Sequence, residues 1–445
     1  MRHIRLRAAV AASTAALVLA GCGAGGRDDS EGGGGEGDTT GVTDSTIKIG
    51  THQPLTGVAA PGYSEINTGV KAYLDYVNEA GGIHGREIEY TVKDDAYNPT
   101  NTSKVVDELV LQDEVFAIVG GLGTPTHSAV VEYLNNEEVP DLFVSSGAQL
   151  WGNDPEARPM TFGWQPDYEI EGKIMGQYIA ENMPDAKVGL FLQGDELGED
   201  GEAGLRRYID DQIVQTVEYA SGNTDIGPQM QKLKSSGADL VIGFNTPSYT
   251  ALSQLAAMQL NYEPDWMYTN VGSDPELVGS LLAEFSEGSV DDDASALDDV
   301  MTTEYIPSTK DTEDPWVQLW EKVWEEQGGE GELTNYRIYG MSYAYSFVSA
   351  LQAAGEDLTR ERIVEVIEQD GANWDGPQLA PYRYSEDNHL GITGMRVSEL
   401  QSGKGEPLTE VLVTDIGDGD ITEEDSDESE DSPPEDGVPD VEVLE

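Results

Sequence analysis

From Ile47 to Thr269 the chain alternates short apolar runs with stretches whose apolar residues recur at helical spacing, and that beat leaves few architectures open. Ile47–Thr51 reads as a strand. Ile66, Val70, Tyr73, Leu74 and Val77 then share one face of a helix that stops at Gly81-Gly82. Ile88, Tyr90 and Val92 alternate as a second strand; Val105, Leu109 and Val110 mark a second helix; Val115–Val119 reads as a buried strand ending in Gly120-Gly121. Strand Asp141–Ser145 and a helix from about Glu169 to Met183 follow. A second series comprises strand Lys187–Leu192, helices Glu202–Ile209 and Ile226–Lys234, strand Asp239–Phe244, helix Tyr249–Met258 and strand Trp266–Thr269. Such alternation predicts parallel strands wrapped by helices. Residues 44–417 are too many for one core of this kind, so the expected fold is α/β with two Rossmann-like lobes, each built on a parallel central sheet. A ligand cleft would lie between them, beyond the carboxyl ends of the strands. Trp316, Trp320 and Trp324 recur every four residues and read as core or lobe-interface packing.

The ends of the chain differ from this body. Arg2, Arg5 and Arg7 precede the apolar stretch Ala8–Ala20, which is shorter than the ~20 residues of a membrane-spanning helix and reads as a signal peptide over 1–21. Its end, Leu19-Ala20-Gly21-Cys22, resembles the lipobox of bacterial lipoproteins, which implies a diacylglycerol on Cys22 and a location on the extracytoplasmic face of the cell membrane. Cys22 is the only cysteine, so no disulfide forms within a monomer. Residues 22–43, with nine glycines between Gly23 and Gly41, read as a flexible tether. Residues 418–445 carry fourteen acids and no base, and are expected to form a disordered acidic tail.

Charge narrows the partners. Asp and Glu number 85 against 24 Lys and Arg, a formal net charge of −61, which repels a polyanion; nucleic acid and a bare anionic membrane surface are excluded as direct partners. With both ends subtracted the body is still strongly acidic, which fits a saline habitat or an ordinary acidic surface.

No catalytic constellation emerges. The chain has no Gly-x-Ser-x-Gly elbow, no His-Glu-x-x-His and no phosphate-binding loop, and Gly120-Gly121-Leu122-Gly123 lacks the third-glycine spacing of a dinucleotide site. His52, His84, His127 and His389 are scattered and read as surface or structural side chains, so no enzyme, metal or cofactor is expected. Binding has better candidates. After the strand Val115–Val119, Gly123 precedes Thr124 and Pro125, which suit the N-cap and N1 positions of a helix; the turn is either a plain cap or a seat for a carbonyl or anionic group. Ser145-Ser146-Gly147-Ala148 follows the next strand in the same manner.

Several stretches resemble the solute-binding proteins of ABC transporters, of the leucine-binding or branched-chain amino acid type with the type I periplasmic-binding fold. They are Ile47-Lys48-Ile49-Gly50 with Pro54-Leu55-Thr56-Gly57, Tyr76 through Asn78-Glu79-Ala80-Gly81-Gly82-Ile83-His84-Gly85-Arg86, Asp94-Asp95, and Val119-Gly120-Gly121. Trp164-Gln165-Pro166, Pro184–Val188 and Leu233–Asp239 also fit, so the resemblance covers about 44–415.

The resemblance implies a two-lobe clamp joined by a three-crossing hinge, with crossings near Gly163, Met301–Tyr305 and Leu390. Lobe 1 would comprise 44–164 and 304–389, and lobe 2 would comprise 165–303 and 390–417. It implies a ligand seat at Gly123, Thr124, Ser146, Gly147 and Ala148 on one lobe, and at the positions of Leu197, Thr246 and Asn270 on the other. Tyr339 is a further aromatic candidate, with Trp151 or Trp164 behind it. Leu197 stands where the family has an aromatic, and Asn270 where it has the acid that pairs with an α-ammonium; Asp274 or Asp195 are the substitutes nearby. An amide cannot neutralise a buried ammonium, so the ligand is expected to be an amide, an organic acid or another small polar solute rather than leucine, isoleucine or valine. The implied function is a monomeric, lipid-anchored binding protein serving ABC permease and ATPase subunits on separate chains, the alternative being a ligand-sensing receptor subunit of the same fold.

Overall fold

A computed structural model describes residues 37–424 and 432–444. The signal-peptide and Cys22 readings lie outside the described residues. Five parallel strands form the first sheet: β1 (Thr46–Gln53), β2 (Glu87–Asp94), β3 (Ala117–Val119), β4 (Asp141–Val144) and β5 (Thr161–Gly163), in the order β2-β1-β3-β4-β5. Helices α1 (Ala60–Glu79), α2 (Pro99–Leu111), the single turn α3 (Thr124–His127) and α4 (Val131–Asn136) connect them. The expected face of α1 is buried, with Ile66, Val70, Tyr73, Leu74 and Val77 all in the core.

The second sheet is larger and mixed. It contains β6 (Val188–Gln193), β7 (Ile213–Tyr219), β8 (Leu240–Phe244), β9 (Asp265–Tyr268) and β10 (Met301–Glu304), then β11 (Gly394–Gln401), β12 (Lys404–Pro407), β13 (Leu412–Val413) and β14 (Thr422–Glu423). β7 through β10 are parallel, whereas β11 runs antiparallel to β10, and β12 and β13 antiparallel to β11. The central strands of both sheets are parallel, as expected, and the second sheet adds antiparallel strands at one side. β11 enters from the first lobe rather than over a crossover helix, and a tight Ser402-Gly403 turn, with φ of +52° and +84°, folds β12 back onto it.

Around this sheet lie α5 (Tyr168–Asn182), α6 (Glu196–Ile209), α7 (Gly227–Ser236), α8 (Pro247–Leu260) and α9 (Pro275–Phe285). Glycines bring α5 and α6 to backbone contact: a Cβ on Gly172 would sit 2.3 Å from the Gly201 carbonyl oxygen, and one on Gly204 2.2 Å from that of Glu169. Helices α10 (Pro315–Glu326), α11 (Asn335–Ala354) and α12 (Arg360–Asp370) return to the first lobe. The tryptophan stripe is core: Trp320 meets Tyr73 edge-on at 5.5 Å and Trp316 meets Tyr345 at 4.9 Å. The chain passes from one sheet to the other after Gly163, after Glu304 and before Gly394.

Both end segments depart from the expected tether and tail. Residues 22–43 were expected to be flexible throughout, yet Asp38 pairs with Arg360 and accepts its backbone N–H, and Val42 bridges Ile47. In 418–445 a disordered tail is contradicted on both sides of 425–431. β14 pairs with β13, and Val438, Val441 and Leu444 pack on the first-lobe core. Tyr73 and Tyr76 donate to the carbonyls of Gly437 and Asp436 at 3.0 and 2.7 Å. The apolar residues of 438–444 find a groove among α1, α11 and α12, so that burial outweighs the repulsion among the flanking acids.

Candidate functional site

Between the lobes lies a cavity of about 190 Å³, lined from both sides. A cavity of about 150 Å³ holds a benzene ring, so the space suits a molecule of roughly that size or slightly larger. On the first lobe the buried strand β3 runs into Gly120–Gly123. Gly123 has φ +100°, and a Cβ there would fall 2.4 Å from the Tyr97 ring. Thr124 and Pro125 open α3, whose Thr126 hydroxyl turns back to the carbonyls of Leu122 and Gly123. Thr124 lines the cavity, and its hydroxyl pairs with Ser146 Oγ at 2.8 Å.

Gly123, Thr124, Leu197, Thr246, Asn270 and Tyr339 line the cavity, and Ser146, Gly147 and Ala148 stand one layer behind it. Ser146 backs Thr124 and lies 3.5 Å from the Tyr168 hydroxyl; Gly147 leaves room for the Tyr168 ring; Ala148 is fully buried. Trp164 belongs to the core, donating to Ser346 and Tyr382, and Trp151 packs edge-on against His127. Asp195 caps α6 through the Leu197 N–H at 3.1 Å and does not line the cavity; burial pushes its carboxyl up to about 6.

The sequence reading missed the wall itself. Tyr63, Tyr97, Tyr168, Tyr305 and Tyr336 join Tyr339 around the space, and burial holds the phenols of Tyr63, Tyr97, Tyr305 and Tyr336 well above their ordinary range, so they stay neutral. Gln165 is 6% exposed; its Oε1 accepts the Tyr339 hydroxyl at 2.9 Å, and its Nε2 has no partner among the described residues. The buried Tyr336 hydroxyl also has no hydrogen-bond partner among the described residues.

On the second lobe Asn270 is fixed by a carboxylate beneath it. Glu171 is fully buried; its Oε1 accepts the Asn270 backbone N–H at 2.8 Å, the Asn270 side-chain amide at 2.9 Å and the Thr303 hydroxyl at 2.5 Å, while Oε2 accepts the Thr269 hydroxyl at 2.7 Å. Burial pushes the Glu171 carboxyl up, and these four donors pull against it. Asp274, in the cavity wall, caps α9 through the Leu277 N–H at 2.8 Å and accepts Asn335 Nδ2 from the first lobe at 2.8 Å.

Further contacts join the lobes at the rim. Gln149 donates its backbone N–H to Asp200 at 3.0 Å and its side-chain amide to Glu169 at 2.5 Å, and Ser248 donates to the Val58 carbonyl at 3.0 Å. Burial pushes the Asp200 carboxyl up to about 7, with only the Gln149 N–H opposing it and Asp167, Glu196 and Glu169 adding to the rise.

Behind the Gly121–Thr124 turn, two histidines far apart in sequence meet. His52 Nδ1 lies 2.8 Å from Asp95, His52 Nε2 2.9 Å from His127 Nδ1, and His127 Nε2 2.8 Å from Asp141. All four side chains are fully buried, and Gly121 rests on both rings. Burial lowers the His52 pKa against the hydrogen bond that His52 donates to Asp95. The cluster props the turn and does not reach the cavity. Among the described residues no group of three or more His, Cys, Asp or Glu side chains is placed to hold a metal ion.

Two facing α/β lobes with a lined cavity between them match a known family model, described as periplasmic binding protein, over residues 46–405. The chain belongs to the periplasmic binding protein family. Relatives of this binding protein include Leu/Ile/Val-binding protein homolog 1 of Brucella abortus, 24% identical over 320 residues, covering 71% of this chain and 80% of the relative. The leucine-, isoleucine-, valine-, threonine- and alanine-binding protein of Pseudomonas aeruginosa is 23% identical over 199 residues, 44% of this chain and 52% of the relative, so here the binding protein spans about half the relative's length. Among solved structures, a branched-chain amino acid ABC transporter protein from Thermus thermophilus with bound valine aligns with TM-score 0.70 at 19% identity, covering 84% of this chain and 98% of that one. A fatty acid ABC transporter substrate-binding protein from Thermomonospora curvata aligns at 0.71 with 20% identity, covering 85% and 95%. At these identities the likeness speaks for the fold. Among the described residues of the binding protein no helix is long and apolar enough to cross a membrane.

Proposed function

We propose that this binding protein captures a small amino acid-like, amide or organic acid solute between its lobes, at the extracytoplasmic face of the membrane. A lipid on Cys22 would hold it there, and it would deliver the solute to ABC permease and ATPase subunits on separate chains. The lobes we assign are 44–164 with 304–389 and 165–303 with 390–417. The observation that carries the reading is the interlobe cavity, lined by residues of both lobes with polar side chains such as Thr124, Gln165, Thr246 and Asn270 in its wall. The kinship to Leu/Ile/Val-binding proteins supports the transport role.

A thermal-shift screen against amino acids, amides and small organic acids tests capture. A solute present at a hundred times its dissociation constant stabilises the folded protein by about 2.7 kcal/mol. Uptake of the labelled solute by cells with and without the protein tests delivery. Binding without any change in uptake would favour the ligand-sensing receptor, and no binding to any solute would sink both readings.

A further inference from the structure

We infer that Asp95, His52, His127 and Asp141 form a positioning chain beneath the solute seat, that it holds one proton more than two neutral imidazoles supply, carried on His127, and that the geometry of the seat follows this proton. The inference rests on the capture role proposed above and adds a proton dependence to that same site.

Three junctions in a row set the proton count. Asp95 Oδ2 lies 2.8 Å from His52 Nδ1, His52 Nε2 lies 2.9 Å from His127 Nδ1, and His127 Nε2 lies 2.8 Å from Asp141 Oδ2. Each distance needs a proton between its heavy atoms, because two lone pairs facing one another repel, and these side chains are fully buried. Two neutral imidazoles supply two N–H groups and ionised carboxylates supply none. The third junction therefore requires an extra proton. Burial keeps His52 neutral, so it donates through Nδ1 to Asp95 and accepts at Nε2. His127 is left with both of its N–H groups, one given to His52 and one to Asp141, an imidazolium paired with a carboxylate. Asp141 Oδ2 also accepts the Thr161 hydroxyl at 3.0 Å, while its Oδ1 has no hydrogen-bond partner, and no lysine or arginine pairs with Asp95 or Asp141 among the described residues. The charges that act on His52 are those of His127, Asp95 and Asp141. The other neighbours are uncharged: the Thr102 hydroxyl of α2 on Asp95 at 2.9 Å, the Thr161 hydroxyl of β5, and the Trp151 ring edge-on to His127 at 5.0 Å.

The chain holds cavity-lining backbone at two places. Gly121 rests on the central junction, where a Cβ would fall 2.5 Å from His127 Nδ1 and 2.9 Å from His52 Nε2. Leu122 donates its N–H to the His52 carbonyl at 3.1 Å, and the His127 N–H bonds the Gly123 carbonyl at 2.9 Å. At the far end Asp95 Oδ1 accepts the Tyr97 N–H at 2.8 Å, and the Tyr97 ring is the one that lies against Gly123. Leu122, Gly123, Thr124 and Tyr97 all line the cavity. Removing the extra proton leaves one junction with opposed lone pairs and Asp141 with no positive charge beside it, so the rings part and both supports of the seat shift.

Nitrogen NMR of the whole protein, isotope-labelled at the histidine rings, counts these protons without any solute, the two buried rings being identified by their slowly exchanging N–H groups. The expected result is three N–H groups on the four ring nitrogens at about pH 6 and loss of one in a single step before about pH 10, with the backbone amide signals of Gly121, Leu122, Gly123 and Tyr97 moving at the same midpoint. D141N decides the cause. Its amide gives the third junction a proton that does not titrate, so it should show two ring N–H groups throughout and seat amides that stay fixed. D95N supplies the proton at the other end and serves in its place should the melting temperature show that D141N does not fold. A merely structural cluster would lose stability in these variants without changing the pH profile. Titration with leucine and with benzoate reads the consequence: a probe that binds should weaken about fivefold or more above the step, and less than about twofold in D141N. Two ring N–H groups at pH 6, a proton retained to pH 10, its loss without movement of the seat amides, or an Asn variant that follows the parent profile would overturn the inference. Failure of both probes to bind would count against the capture role, while the ring count and the amide signals would still decide the chain.

Discussion

Replacing Asp200 by Asn should make the protein more stable in mildly alkaline buffer and leave it nearly unchanged in acid. Asp200 lies at the interlobe rim, accepts the Gln149 N–H at 3.0 Å and forms no ion pair among the described residues, while Asp167, Glu196 and Glu169 raise its carboxyl further. Its carboxyl moves from an ordinary 3.8 to about 7, chiefly through burial. At about 1.36 kcal/mol per pH unit that displacement corresponds to about 4 kcal/mol, and because the side chain keeps some access to water about 2 kcal/mol is a fair expectation. The folded protein binds the proton more tightly than the unfolded chain, so the contribution is fully favourable below 3.8 and is lost as the pH rises through 7. Asn carries no charge to bury and its Oδ1 can still accept the Gln149 N–H. Urea unfolding of both proteins at pH 8 and pH 4.5 separates this site from all other titrations, since they cancel in the difference. D200N should exceed the parent by about 2 kcal/mol at pH 8 and match it within about 0.5 kcal/mol at pH 4.5. A gap of the same size at both pH values, or a less stable variant at pH 8, would refute the reasoning.

His389 works in the opposite direction. It is buried between Thr161 and Glu368, stacked on Phe162 at 3.8 Å, and burial pushes it down to about 4. The unfolded chain takes up a proton first, so stability is lost as the pH falls from 6.5 towards 4, by about 3 kcal/mol, and H389Q should flatten that slope in urea unfolding at the two ends of the window. Trp320→Ala should cost about 3–5 kcal/mol, read by the shift in the denaturant midpoint, because the ring is fully buried against Tyr73. Ending the chain after Glu424 removes the apolar contacts of Val438, Val441 and Leu444 and should cost about 2–4 kcal/mol, whereas an unchanged midpoint would mean that this segment lies free in solution.

The parallel part of the fold was legible because its strands and helices are local patterns. β1, α1 and β2 follow one another with clear periodicity, and α1 stops at Gly81-Gly82, where positive φ is needed. α6 was read too short. Its start is the Asp195 cap, but Gly198, Gly201 and Gly204 lower the helical signal, Gly198 where the helix passes β6 and the other two where α5 approaches. β7 was missed because its Gln215 and Glu218 break the apolar run of an edge strand. The reversal at β11 depends on a partner ninety residues earlier in the chain, and no local pattern carries that. The site divides in the same way. The glycine and hydroxyl turns at Gly123-Thr124 and Ser145-Ser146 carry local signals, whereas the tyrosines arrive from α1, the loop after β2, α5, the segment after β10 and α11, one or two at a time. Asn270 could be read as a missing acid, but that Glu171 stands beneath it is visible only once β9 and α5 are side by side. His52 and His127 are 75 residues apart and meet through the fold alone.

The two ends of the described chain reach the same helix. Asp38 is held by Arg360 and Glu361 at the start of α12, and the Leu444 carbonyl accepts from Arg362 one residue further on, while its N–H bonds the Ala353 carbonyl. Asp38 and Leu444 are therefore fastened at one buckle on the first lobe. A short glycine and serine linker from Leu444 to Asp38 would join them without stretching either lobe, and new ends could be opened at an exposed turn such as Gly222 or Gly288. A cargo joined directly to Asp38 or to Leu444 would hang from this buckle, so lobe 1 would carry it while lobe 2 stayed free to swing.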